Sequence, residues 1–273
     1  MMWSQTLTSD GKRPAAVAGQ FYPRDPRELR MDIRRYLREA GTFEGSGPKA
    51  VIAPHAGYMY SGPIAGSVYA RVAASREPIR RVVLLGPSHY AAFRGLGASS
   101  ASAFLTPLGE VEVDREGNAL ARRLPGVATR DDAHREEHSL EVQLPFLQET
   151  LPQFTIVPLL VGDATAEEVA LVLEALWGGK ETLVVVSSDL SHYHAYDRAR
   201  ALDQEAAAAI EALEAHRLGQ EQACGCRPIR GLLVAARRRG LKCATVDLRN
   251  SGDTAGRRDR VVGYGGFIFL EEL

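Results

Sequence analysis

No apolar run in this 273-residue chain approaches the roughly 18 residues a membrane span needs. The stretch from Met1 to Gln20 is polar and small, without the apolar segment of a secretory signal. Cysteine is scarce. Cys224, Cys226 and Cys243 are too few, and odd in number, for a disulfide framework, which points to a reducing compartment. Neither sign of charge dominates: the formal net charge is -1 and the pI about 6.7. Nucleic acid or an anionic membrane would call for a basic excess or stripe, so neither is expected as a partner. A soluble cytoplasmic protein is the expectation.

Several motifs are missing too. No GxGxxG follows an apolar run, and there is no Walker loop or Gly-x-Ser-x-Gly elbow. Cys224-x-Cys226 has no second pair to complete a zinc site. Asp131, Asp132, Glu136 and Glu137 lack calcium-loop spacing, so a solvated loop is expected there.

What is present is a construction used three times. Val51-Ile52-Ala53-Pro54 runs into His55, Val82 to Ser88 runs into His89, and Leu183 to Ser188 runs into Asp189 and His192. Each is a short apolar run of the buried-strand kind, ending in a polar turn. In open α/β sheets, sites form beyond the carboxyl ends of strands. Helical patterns fill the intervals. Asp25-Pro26-Arg27-Glu28 is a helix start with an N-cap and Pro at the first position. Further helices are expected from Ser61-Gly62-Pro63 to about 73, over 115–124, around Leu140, Leu144, Leu147 and Leu151, and over 165–177, 201–216 and 228–239. Pro145 either kinks the fourth of these or lies near its start. Strands are expected at 155–160, 243–248 and 261–270, and short ones around Thr106-Pro107-Leu108-Gly109. This alternation predicts an α/β protein, one three-layer α/β/α domain over 1–273 with a mixed, mostly parallel sheet.

His55, His89 and Cys224 are candidate metal ligands. Neutral imidazole is a common ligand, and a thiolate at Cys224 would be favoured by the following helix N-terminus and by Arg227. The alternative is hydrogen-bonded structural histidines and a core-filling cysteine. Asp189 and His192 lie three apart, so the carboxylate either orients His192 as a general acid/base or caps the turn. His138, beside Ser139, is a second acid/base candidate or a loop residue. His134, His194 and His216 carry no such context.

These stretches resemble the Memo family, in the branch called AmmeMemoRadiSam system protein B. The resemblance is carried by Ala18 to Pro23, Ala53 to Tyr58, Leu85 to His89, Glu137-His138-Ser139-Leu140-Glu141, Val157 to Gly162, Ser187-Ser188-Asp189 with His192, and Cys224-Gly225 with Pro228-Ile229. It implies a fold similar to the catalytic subunit of class III extradiol dioxygenases, with Cys224 where those iron enzymes have a glutamate. The implied metal ligands are His55, His89 and Cys224, and the implied pocket residues are His192, Asp189 and His138. Cys226 stands where some relatives have arginine, and Gly225 after Cys224 favours Cys224 as the ligand. Fe(II) or Cu is the expected metal, with Zn as an alternative, since a soft thiolate shifts preference toward copper or zinc. AMMECR-type and radical SAM proteins are the implied partners. Three functional readings follow. The first is a metal-dependent oxidoreductase in which His192 and His138 move protons. The second is a non-catalytic module that kept the pocket and recruits a protein or peptide. The third is a zinc-dependent hydrolase.

Overall fold

The strands alternate with helices as the patterning requires. The computed structural model describes residues 7–43, 47–75 and 77–271. The Gly45-Ser46 part of an expected loop lies outside the described residues. In chain order come α1 (Pro26–Glu39), β1 (Ala50–Ala53), α2 (Tyr58–Ala73), β2 (Arg81–Pro87), β3 (Leu96–Ala98), β4 (Ala103–Thr106) and β5 (Gly109–Glu112). Then follow α3 (Arg115–Ala121), β6 (Val127–Thr129), α4 (Asp131–His134), α5 (Leu144–Thr150), β7 (Thr155–Val161), α6 (Ala166–Leu176) and β8 (Thr182–Ser187). The chain ends with β9 (His192–His194), α7 (Tyr196–Glu211), α8 (Cys226–Arg238), β10 (Lys242–Asn250) and β11 (Val261–Leu270).

The main sheet has the order β10-β11-β1-β8-β2-β7-β3-β6, with β9 on β11. Its centre, β1-β8-β2-β7, is parallel throughout. Antiparallel pairs flank it at β11 and β3. The fold is therefore α/β with a mixed, mostly parallel sheet.

Both faces of that centre are covered, which is why its strands read as unbroken apolar runs. Alternate side chains go to opposite sides. Val51, Val82, Leu84, Leu183 and Val185 pack with α1, α2 and α5. Ile52, Val83, Leu85, Val184 and Val186 pack with α6, α7 and α8. Each fully buried Val, Leu or Ile contributes about 1.5–3 kcal/mol. No helix among the described residues is long and apolar enough to cross a membrane.

The order of the strands places the site. β1 and β2 each pair with β8, one on either side. The turns carrying His55, Asp189 and His89 thus leave three adjacent strand ends.

Three local expectations needed adjustment. α2 begins at Tyr58 rather than Ser61, because the carbonyl of Phe21 accepts the Tyr58 amide at 2.7 Å and supports an earlier first turn. Pro145 lies in the first turn of α5, where its missing N–H costs nothing. α7 runs from Tyr196 to Glu211, about one turn earlier than the Ala-rich stretch implied.

Candidate metal centre

His55 leaves β1 with its ring buried, at 2% exposure. Its backbone N–H donates to Asp189 Oδ1 at 2.7 Å. Its Nδ1 lies 2.8 Å from Ser187 Oγ. The Ser187 hydroxyl donates its one proton to the Ser139 carbonyl at 2.6 Å, so it can only accept from His55. The proton of His55 therefore sits on Nδ1, and the Nε2 lone pair faces the site. Gln143 Nε2 donates to the same Ser187 oxygen at 2.8 Å and to the Pro54 carbonyl at 2.9 Å, bracing the turn.

His89 leaves β2 under the control of Glu137. The backbone N–H of His89 donates to Glu137 Oε2 at 2.5 Å, and its Nδ1 lies 2.9 Å from Oε1. A carboxylate only accepts, so Nδ1 again carries the proton and Nε2 is left open. A carboxylate behind an imidazole is a common support for a metal ligand.

His138 completes the cluster. Its ring stacks on His89, with centroids 4.7 Å apart and planes at 21°. It meets His55 edge-on at 5.4 Å and 89°, and Phe21 closes its other side at 4.7 Å. His138 Nδ1 is buried without a hydrogen-bond partner among the described residues. One ligand atom from each of His55, His89 and His138 lies within 4.8 Å of the others. Burial pushes His55 down to about 3, helped by neighbouring His89, and pushes His138 down to about 4. Both rings are neutral near pH 7, the form that binds a metal. The donor set fits a transition metal: three close imidazoles, two tautomers locked from behind, and a third ring whose Nδ1 makes no hydrogen bond, with Glu137 Oε1 3.3 Å away.

Glu137 is the residue the sequence reading misplaced. It belongs to no solvated loop. At 2% exposure it accepts from both His89 groups and from the His138 and Ser139 amides, each at 2.9 Å. Burial alone would raise its carboxyl, but the hydrogen bonds, led by His89, outweigh that and hold it at about 2. Only its place in a Glu-His-Ser string hinted at this.

Two other candidates, Asp189 and Cys224, touch His55. Asp189 is buried, and burial raises its carboxyl against the pull of the His55 and Ala56 amides. Its hydrogen bonds thus secure the His55 turn, and His192 feels it only through charge. His192 opens β9 and is half-buried. Cys224 Sγ lies 3.3 Å from His55 Nε2 and 3.6 Å from the Asp189 carbonyl. A Cβ on Gly225 would come within 2.6 Å of Ser188, so glycine is needed for this approach. Arg227 does not activate the thiol as expected. It pairs with Asp163 at 2.9 Å, while burial and the Asp189 charge push Cys224 up to about 12. Cys226 packs into the core beside α6. His134 is structural, with Nε2 on the Gly97 carbonyl at 2.9 Å. A cavity of about 650 Å³ opens beside the cluster, lined by His89, Cys224, Phe93, Arg94 and Arg227 among others.

A family model described as Memo-like protein matches residues 13–268. A MEMO1 family protein of Aquifex aeolicus is 38% identical, covering 94% of this chain and 99% of that protein. One from Methanopyrus kandleri is 39% identical with the same coverage. Another, from Aeropyrum pernix, is 39% identical over 92% of this chain and 97% of its own.

Proposed function

Because the chain belongs to the Memo family, we propose that His55, His89 and His138, with Cys224 beside them, would hold a redox-active metal, at which a small molecule admitted by the adjacent cavity would be oxidised with dioxygen as the electron acceptor. The observation that carries this reading is the mutual approach of three imidazoles, with ligand atoms within 4.8 Å of one another. Ring orientation is already provided by Ser187 and Glu137, so binding needs little reorganisation. When bound, Fe(II) or copper supplies one-electron chemistry that no side chain here offers. The chain's own contribution is to orient and to move protons. Asp189 holds the His55 turn, Phe21 packs on the His138 ring, and half-buried His192 is the proposed proton carrier. The proposed setting is cytoplasmic, supported by three free cysteines, with AMMECR-type and radical SAM proteins as partners implied by the resemblance.

The test is metal analysis of protein purified without oxygen, followed by oxygen uptake with a panel of catechols. We expect stoichiometric Fe or Cu, lost in His55→Ala. Turnover should disappear in His192→Ala while the metal stays. Full metal occupancy in His55→Ala would end the proposal, and metal without turnover would favour a binding module. A three-histidine donor set also suits catalytic zinc. Hydrolysis that needs Zn and ignores oxygen would establish the zinc reading instead.

A further inference from the structure

One short segment supports all three imidazoles. Glu137 receives the His89 ring and the His138 amide. The Ser139 carbonyl fixes the Ser187 hydroxyl, and through it the His55 tautomer. Gln143 bonds to Ser187 and to Pro54. Ser139 Oγ also donates to the Pro87 carbonyl at 2.8 Å, tying the segment to the end of β2. The position of residues 137–143 therefore sets the position of the whole centre.

That segment is held from behind by residues far earlier in the chain. Arg13 is 1% exposed and Glu141 is fully buried at 0%. Their side chains form an ion pair. Arg13 Nε donates to the His134 carbonyl at 3.1 Å and Nη2 to the Glu137 carbonyl at 2.5 Å, so one guanidinium grips both ends of the turn before His138. The planar fork of arginine suits this grip, and lysine could not reproduce it in full. Glu141 accepts from the Ala16 and Val17 amides at 2.8 Å and 3.0 Å, and from the Tyr22 hydroxyl at 2.5 Å. The strap so anchored delivers Phe21 against the His138 ring. None of these groups reaches the cavity beside the cluster.

We propose that Arg13 and Glu141 are positioning residues for the three-histidine centre, fixing the 137–143 segment and the Phe21 strap so that the rings converge on one ion. This inference rests on the metal-binding reading above and extends it to residues that touch no ligand.

The experiment uses Co(II) as the probe. Affinity is read by competition with a chelator, and ligand geometry by the visible d–d spectrum, at a temperature where circular dichroism shows every variant folded. Arg13→Met is expected to weaken Co(II) binding by about 10–100-fold, the range for residues that orient metal ligands, and to change the spectrum. Arg13→Lys should restore part of the affinity. Tyr22→Phe removes one hydroxyl and leaves the ion pair, so a loss of about 5-fold is expected, the worth of one hydrogen bond. A purely structural pair would lower the melting temperature and leave affinity and spectrum unchanged. If Arg13→Met does not fold, Arg13→Lys and Tyr22→Phe decide, and wild-type affinity with a wild-type spectrum in both overturns the inference. Wild-type protein that fails to bind Co(II) would instead overturn the metal-binding reading itself.

Discussion

The two ends of β1 bury ionisable groups in opposite ways. At the start, Lys49 donates from Nζ to the carbonyls of Trp177, Gly179 and Thr182 at 2.7, 2.6 and 2.7 Å. An ammonium has three protons, so every donor is used. Beyond the other end, His55 offers an Nε2 lone pair whose near neighbour is a sulfur at 3.3 Å, and His138 Nδ1 makes no hydrogen bond among the described residues, with Glu137 Oε1 misaligned 3.3 Å away. Both ends avoid water, yet only one closes on itself. Buried polar groups are normally satisfied within the fold, so a set left open is a sign of a ligand. The Lys49 cluster is closed structure, and the histidine cluster is one that could hold a metal.

That contrast can be broken by exchanging the readouts. Lys49→Met takes the ammonium away from the buried Trp177 and Thr182 carbonyls and from that of exposed Gly179, which keeps the Thr182 amide at 3.2 Å, and unfolding free energy should fall by about 3 kcal/mol in urea titrations. Metal affinity should stay within about twofold of wild type. A large loss of affinity with unchanged stability would reverse the assignment of the two ends.

Acid probes the open end next. His55, His134 and His138 sit at about 3, 4 and 4 in the folded protein, against an ordinary 6.5. The unfolded chain therefore binds more protons below pH 6.5, and stability falls as pH drops from there toward 4. Between pH 7 and 5 each histidine should cost about 2 kcal/mol in metal-free protein. Urea titrations at the two values should show the loss, and His134→Asn should remove one such share. An unchanged stability at pH 5 would mean the rings are not buried neutral.

A smaller effect is expected at Glu137. Glu137→Gln puts an amide donor against the His89 donors and should weaken metal binding about 10-fold, measured by chelator competition. Equal affinity would remove Glu137 from the supporting structure. Smallest is Cys226→Ala, a trim in the core beside α6. It should cost less than about 1.5 kcal/mol in thermal unfolding and leave metal affinity unchanged.

Local patterns carried much of the fold. The apolar runs ending at His55, His89 and Asp189 are strand ends, and Asp25 caps α1 by accepting the Arg27 and Glu28 amides. These are short-range effects, set by neighbours within a few residues. Cys224 was singled out by its local context as well, and it lies against His55.

Charge at a distance was not legible. Glu137 sits in a run of charged residues, and nothing local says that it turns inward while Glu136 stays exposed. Arg227 looked like an activator of the thiol until Asp163, from the end of β7, took it to the surface. Arg13 carried no signal at all, because the groups its side chain hydrogen-bonds lie more than a hundred residues away.

By itself, then, the sequence determined the alternation of strands and helices and the histidines at the strand ends, since periodicity and turn chemistry act over one or two turns of chain. Only the tertiary structure decided which of them converge. Strand order sets β1, β8 and β2 side by side, and the 137–143 segment, anchored by Arg13, brings His138 onto His55 and His89. Desolvation then keeps His55 and His138 neutral, because an imidazole takes its ionisation from what surrounds it once water is gone.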